Sequence, residues 1–224
     1  MTPLLLVQPD QEGGAAGIGS LFDMIANGGP VMWPLGLCSV LAVAFMVERG
    51  MRLRRGALGG RESGRQVIDA YDDGGAPGAL ELCDSQRTPM SRILAAGLKR
   101  LDQPLLEMEK AVEDAGAREL RVLSAKLRPL VVIAAIAPLL GLLGTVWGMI
   151  QAFTQIAMAD ALGRPERLAE GISSALITTA VGLSIAIPSQ AAYYFFRSRL
   201  DRFVTAVEET YGEIADRLLR GGGA

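Results

Sequence analysis

Polar side chains standing inside long apolar runs are the residues of this sequence best placed to do chemistry. Thr145, Gln151 and Thr154 interrupt one run, and Ser173, Ser174, Thr178, Thr179, Ser184, Ser189 and Gln190 interrupt another. A hydroxyl donates one hydrogen bond and accepts two, so a dense set of them suits a lining along which water or protons pass. Each also has a simpler use, bonding a carbonyl one turn back on its own helix, and that alternative stays open. Neither run contains a carboxylate. Intramembrane proton paths usually include one, despite an insertion cost of about 2.5–3.5 kcal/mol. A proton path here would take its titrating acid from another chain, or from Glu170 at the mouth of the second run.

Other chemistries find little support. Histidine is absent from all 224 residues, which removes the commonest general base and transition-metal ligand. The two cysteines, Cys38 and Cys83, are too few and too far apart for a disulfide framework or a metal knuckle. With no buried acid pair and no nucleophile beside a base, we expect neither an enzyme nor a bound metal or cofactor. The 22 basic and 24 acidic residues leave a net charge of −2 and are segregated along the chain. No basic patch calls for a nucleic acid partner.

The elements that must hold these hydroxyls are membrane helices. Crossing the hydrocarbon core takes about 20 mostly apolar residues, and three stretches qualify: residues 30–48, 130–158 and 171–196. The fold expected is therefore an all-α integral membrane protein, three transmembrane helices with long cytoplasmic helical extensions. No Lys or Arg precedes Glu48, whereas Arg49, Arg52, Arg54 and Arg55 follow the first span. Lys126 and Arg128 precede the second span, and Arg197, Arg199 and Arg202 follow the third. The bias places the N-terminus outside the cytoplasm and the C-terminus inside. Residues 1–29 then form a periplasmic N-terminus, 49–129 a cytoplasmic helical domain, 159–170 a short periplasmic loop and 197–224 a cytoplasmic C-terminal helix.

Met1 to Val7 carry no basic cluster and no small-residue cleavage site, so they do not read as a signal peptide. Ile18, Leu21, Phe22 and Ile25 recur at helical spacing, the pattern of a short amphipathic helix at the outer interface. Gly74-Gly75, Pro77, Thr88-Pro89 and Gln103-Pro104 punctuate the cytoplasmic segment. From Pro104 the pattern allows one helix through Leu120, Leu123 and Leu127 into the second span. After the third span, Phe196, Leu200, Phe203, Val207, Tyr211, Ile214 and Leu218 form an apolar stripe.

Small residues recur every three or four positions in both later spans. Ala134, Ala137, Gly141, Gly144 and Gly148 do so in the second, and Gly171, Ala175, Thr178, Gly182, Ala186 and Ser189 in the third. Such smooth faces let membrane helices approach closely, within one chain or between copies.

The run Pro138-Leu-Leu-Gly-Leu-Leu-Gly-Thr-Val-Trp-Gly-Met-Ile-Gln-Ala-Phe153 resembles the second-helix signature of ExbB and TolQ. The run Gly171-Ile-Ser-Ser-Ala-Leu-Ile-Thr-Thr-Ala-Val-Gly-Leu-Ser-Ile-Ala-Ile-Pro188 resembles their third-helix signature. The three-span pattern is similar to the ExbB/TolQ branch of the ExbB/TolQ/MotA proton-channel family; MotA-type stators usually have four spans. The resemblance implies a homo-oligomer, a pentameric ring in lipid around an ExbD/TolR-like single-span partner that supplies a pore aspartate. It further implies a TonB- or TolA-like protein that receives the energy of proton flow in the inner membrane for work at the outer membrane. Thr145 and Thr179 match the family's lining threonines, with Thr178 and Ser174 as supporting hydroxyls. Ser174 stands where the family usually has glutamate, so the role of that glutamate does not carry over. A scaffold that assembles a complex without conducting ions is the alternative function.

Overall fold

Proline and glycine set most of the helix boundaries. The computed structural model describes residues 29–53, 58–158 and 165–221, and among them the regular structure is helical. Helix α1 (Met32–Arg52) starts after Pro30 and carries Arg49 and Arg52 in its last turn, where cations offset the negative end of the helix dipole. Helix α2 (Arg61–Gln86) bends at Gly75, whose φ of 63° and ψ of −160° are not helical. Glycine takes that conformation without a Cβ penalty. Pro77 adds to the bend, because it has no N–H to return to the preceding turn.

Helix α3 (Pro89–Leu98) is capped by Thr88, whose hydroxyl oxygen accepts from the Ser91 N–H at 3.1 Å. Helix α4 (Leu105–Ala125) takes Pro104 as its N-cap. Helix α5 (Arg128–Met158) and helix α6 (Pro165–Gly221) complete the order.

Two boundaries differ from the sequence pattern. The stretch from Pro104 into the second span is two helices, with Lys126 and Leu127 in a turn between α4 and α5. Pro129 accounts for the break: it cannot donate to the Ala125 carbonyl, and its ring crowds that group. Tighter bonds replace the lost turn, Leu127 N–H to Ser124 carbonyl at 3.0 Å and Leu130 N–H to Leu127 carbonyl at 3.1 Å. At the other end of the apolar region, α6 begins at Pro165, a residue pre-set for the first turn of a helix, and takes in residues 165–170 that the pattern left to a loop. The amphipathic segment around Ile18–Ile25 and residues 159–164 lie outside the described residues.

Three helical stretches are long and apolar enough to cross a membrane, and their apolar surface faces outward. Trp33 is 85% exposed, Leu139 64% and Phe153 58%. In water such faces would associate or aggregate; in hydrocarbon they are the expected exterior.

The chain divides into two compact units, Met1–Ser39 with Ala135–Ala186, and Val40–Ala134 with Ile187–Ala224. In the first unit Val31, Met32 and Leu35 of α1 pack on Ala137 and Ala186, with Leu140, Ile177, Val181 and Ile185 around them. The second unit has two cores. Val67, Ile68, Met90, Ile93, Leu94 and Leu98 meet Phe203, Val207 and Ile214 in one. Leu53, Leu127, Leu130, Phe196 and Leu200 meet in the other. The apolar stripe on α6 is thereby buried along most of its length, and Leu200 at 1% exposure shows how completely. Removing one such buried leucine costs about 2–5 kcal/mol in the lost transfer energy and the cavity left behind.

Polar contacts join the helices at the rim of the larger core. Arg92 of α3 donates from Nε and Nη2 to the two carboxylate oxygens of Glu119 on α4, at 2.6 and 2.8 Å. Arg61 pairs with Glu209 at 2.7 Å, and Arg217 pairs with Asp72.

Two predictions follow from these contacts. The hydrogen bond from Arg92 holds the Glu119 carboxyl below its ordinary value of 4.5. Its stabilisation is therefore present above that value and is lost as pH falls through the lower, folded value. Because the pair is partly exposed, it contributes about 0.5–1 kcal/mol. Glu119→Gln should lower thermal stability slightly at neutral pH and flatten the acid side of the stability profile, measured by thermal unfolding in detergent. Burial pushes the Cys83 thiol up from 9.0 to about 11, so it carries little thiolate at pH 8. Maleimide labelling of Cys83 in the native chain should be much slower than in the unfolded chain; equal rates would contradict this packing.

Candidate functional site: two helices joined by a small-residue seam

The glycines of α5 and α6 stand where the two helices touch. A Cβ at Gly182 would lie 2.6 Å from the Ala137 carbonyl oxygen and 3.2 Å from the Gly141 Cα. One at Gly141 would lie 3.0 Å from the Thr178 carbonyl oxygen and from the Thr179 Cα. A Cβ at Gly144 would collide with the Thr178 side chain. One at Gly148 would lie 3.0 Å from the Ala175 Cβ, and one at Gly171 would lie 2.7 Å from the Ala152 Cβ. The register is antiparallel, Ala137 facing Gly182 at one end and Ala152 facing Gly171 at the other. Backbone approaches backbone along this whole line, which only small residues allow.

Ala152 was missed by the sequence pattern, although it continues the four-residue spacing past Gly148. The packing of α1 on Ala137 and Ala186 had no sequence signal, because its partners on α1 are ordinary apolar residues.

The hydroxyls have distinct surroundings. Thr178 is 1% exposed; it donates to the Ala175 carbonyl at 2.7 Å and lies 3.4 Å from the Gly141 carbonyl. It fills the hollow over Gly144, so its place is inside the seam, not on an open surface beside it. Thr179 is half-buried and donates across the seam to the Gly141 carbonyl at 3.0 Å. Thr145, also half-buried, donates to the Leu142 carbonyl at 2.7 Å. It lines an open groove on α5 with Val146, Met149, Ile150, Phe153 and Thr154, and Thr154 donates to the Ile150 carbonyl at 2.7 Å. Ser174 is half-buried on α6, one turn from Thr178.

No Asp, Glu, Lys, Arg or His lies between Leu130 and Met158 or between Gly171 and Phe196. Among the described residues no group of His, Cys, Asp and Glu is arranged to hold a metal ion. The pair thus offers polar oxygen atoms in an apolar wall and no charge of its own.

Apolar helices of membrane-spanning length, with their small faces together and their large side chains outward, define a multi-pass helical membrane protein. Comparison with known proteins makes the assignment more specific. The model of the MotA/TolQ/ExbB proton channel family matches residues 85–209. Biopolymer transport protein exbB1 of Vibrio cholerae serotype O1 is 32% identical over 187 residues, 81% of this chain and 81% of the relative. The Tol-Pal system protein TolQ of Pseudomonas aeruginosa is 30% identical over 219 residues, 85% of this chain and 90% of the relative. A putative biopolymer transport protein ExbB homolog of Methanothermobacter thermautotrophicus is 31% identical over 195 residues, 85% and 67% of the two chains. The chain belongs to the MotA/TolQ/ExbB proton channel family.

The seam yields a paired prediction. Gly182→Ala puts a methyl group against backbone that cannot swing aside, and overpacking of this kind costs about 1–3 kcal/mol. Gly116→Ala on α4 meets nothing within 4 Å and should gain about 0.5–1 kcal/mol from helix propensity. Thermal unfolding in detergent should therefore move in opposite directions for the two variants.

Proposed function

We propose that this chain is the channel-forming subunit of a proton-driven motor in the inner membrane. The observation that carries this reading is the α5–α6 pair, with half-buried threonine oxygens in walls that contain no charged residue. Such a pair can accommodate a proton carrier but cannot be one. The titrating acid then belongs to a second chain, an ExbD/TolR-like single-span protein with an aspartate in the pore. Several copies of this chain surround it, five by analogy with the family. The many large apolar side chains left exposed on α5 and α6 support further helix partners as well as lipid.

The distribution of arginine and lysine supports a periplasmic N-terminus and a cytoplasmic C-terminus. Relatives named for biopolymer transport and for the Tol-Pal system support coupling to a TonB- or TolA-like protein that acts at the outer membrane. One charge moved through the membrane potential releases about 2.3 kcal/mol per 100 mV, so several protons per cycle suffice for mechanical work. The chain on this reading is not an enzyme; it catalyses no covalent step. Thr145 and Thr179 line the path, Ser174 flanks it, and Thr178 supports it from within the seam.

Reconstitution in liposomes under an imposed potential tests the reading. The chain purified with its single-span partner should pass protons, and the chain alone should pass far fewer. Replacing Thr145 and Thr179 together by valine should slow flux about tenfold, the effect of about 1.4 kcal/mol added to the barrier. Unchanged flux in a fully assembled variant would favour a scaffold that holds its partners without lining the path.

A further inference from the structure

Within the second unit a groove between α4 and α6 is apolar at its floor and acidic at its rim. It encloses about 400 Å³, a volume in the range of ligand pockets. Its floor is the core itself: Ile93, Val112, Phe203 and Val207 line the groove and belong to the buried cluster of this unit. Whatever fills the groove rests directly on that core. Along α4 the lining runs from Glu109 to Leu120, eleven residues or about 16 Å, the length of three helical turns. The α4 wall is low at its middle, where a Cβ added to Gly116 would meet nothing within 4 Å.

Glu109 and Glu113 stand one turn apart on the α4 side of the rim, and Glu208 stands on the α6 side. All three are exposed, and no Lys or Arg joins them in the lining. Glu109 also lies close to Tyr211, whose phenol is pushed above its ordinary 10.0 by burial and then by the Glu109 charge. Neighbouring acids have cationic partners, Glu119 on Arg92 and Glu209 on Arg61. The three rim acids have none among the described residues. Like charges four residues apart weaken a helix, so Glu109 and Glu113 do nothing for α4 by themselves. A cation seated over the groove turns their repulsion into attraction.

We propose that the α4–α6 groove docks a basic amphipathic helix of another protein, about three turns long. The apolar face of that helix, with anchors three and four residues apart, seats on Ile93, Phe203 and Val207. Lysines or arginines along its flanks pair with Glu109 and Glu113 on one side and with Glu208 on the other. The rim also selects, since an acidic helix with the same apolar face meets like charge on both sides.

The probe is a fluorescent synthetic helix with leucines at i, i+3, i+4 and i+7 and lysines flanking them. It is titrated onto the full chain in nanodiscs of zwitterionic lipid, with empty nanodiscs as the background. Fluorescence anisotropy should show saturable binding above that background. Changing Glu109, Glu113 and Glu208 together to glutamine should weaken it about tenfold, three exposed pairs acting at once. Gly116→Leu fills the groove from an open position with a good helix former, and should remove binding while the acids remain. Anisotropy no greater than with empty nanodiscs, or equal in the wild type and both variants, would place the probe in the lipid. Binding lost with the acids but kept in Gly116→Leu would reduce the rim to a diffuse acidic surface. An oligomer mass that falls with Gly116→Leu, read by native mass spectrometry, would put another copy of this chain over the groove. Each of these results overturns the proposal and leaves the channel reading untouched.

Discussion

Everything at the candidate site depends on the close approach of two helix backbones. Gly141, Gly144 and Gly148 on α5, and Gly171 and Gly182 on α6, leave room for contacts of carbonyl oxygen on Cα that any larger residue would prevent. In a membrane no hydrophobic effect drives helices together, so dispersion over a smooth surface and a few polar contacts must do it. The Thr179 hydroxyl donating to the Gly141 carbonyl is one such contact. It is possible only because Gly141 has no side chain to hold the helices apart. Packing and polarity at the site are therefore one feature: the glycines bring the helices together, and the threonines take their orientation from the backbone so exposed.

On the proposed reading, that arrangement lets an ion path be built without a buried charge in this chain. An Asp or Glu in the wall would need a partner or a large shift toward its neutral form. Hydroxyls bonded to backbone carbonyls carry no such cost. Ser174, at the position where the wider family usually carries a glutamate, extends the same economy of charge. The second unit works by different physics. Its helices bury Ile93, Leu94, Phe203 and Val207 against one another as a water-soluble bundle does, and its ion pairs stay at the rim.

Much of this was legible from residue order. The spans, their apolar character and the recurrence of small residues were all visible, because each is a property of a single helix read along its own axis. The stripe from Phe196 to Ile214 was visible for the same reason. The turn at Lys126 and Leu127 was hidden by apolar periodicity that continues through it; the signal was Pro129, which deprives the preceding turn of a donor. The start of α6 at Pro165 was hidden by polar composition, although proline at a first helical position is itself a helix signal.

The sequence by itself determined that these are membrane helices with small faces, that hydroxyls lie among them, and that no acid does. Only the tertiary structure decided where each hydroxyl is placed and what it bonds. Thr178 and Thr179 are adjacent in sequence and alike in chemistry, yet one is sealed over Gly144 and the other is half-open with its proton given across the seam. The difference is about 100° of rotation around the helix axis, and its meaning depends on where the second helix lies. A single chain read as a string holds the 3.6-residue period but not the direction of the neighbour, and that direction separates a buried hydroxyl from a half-open one.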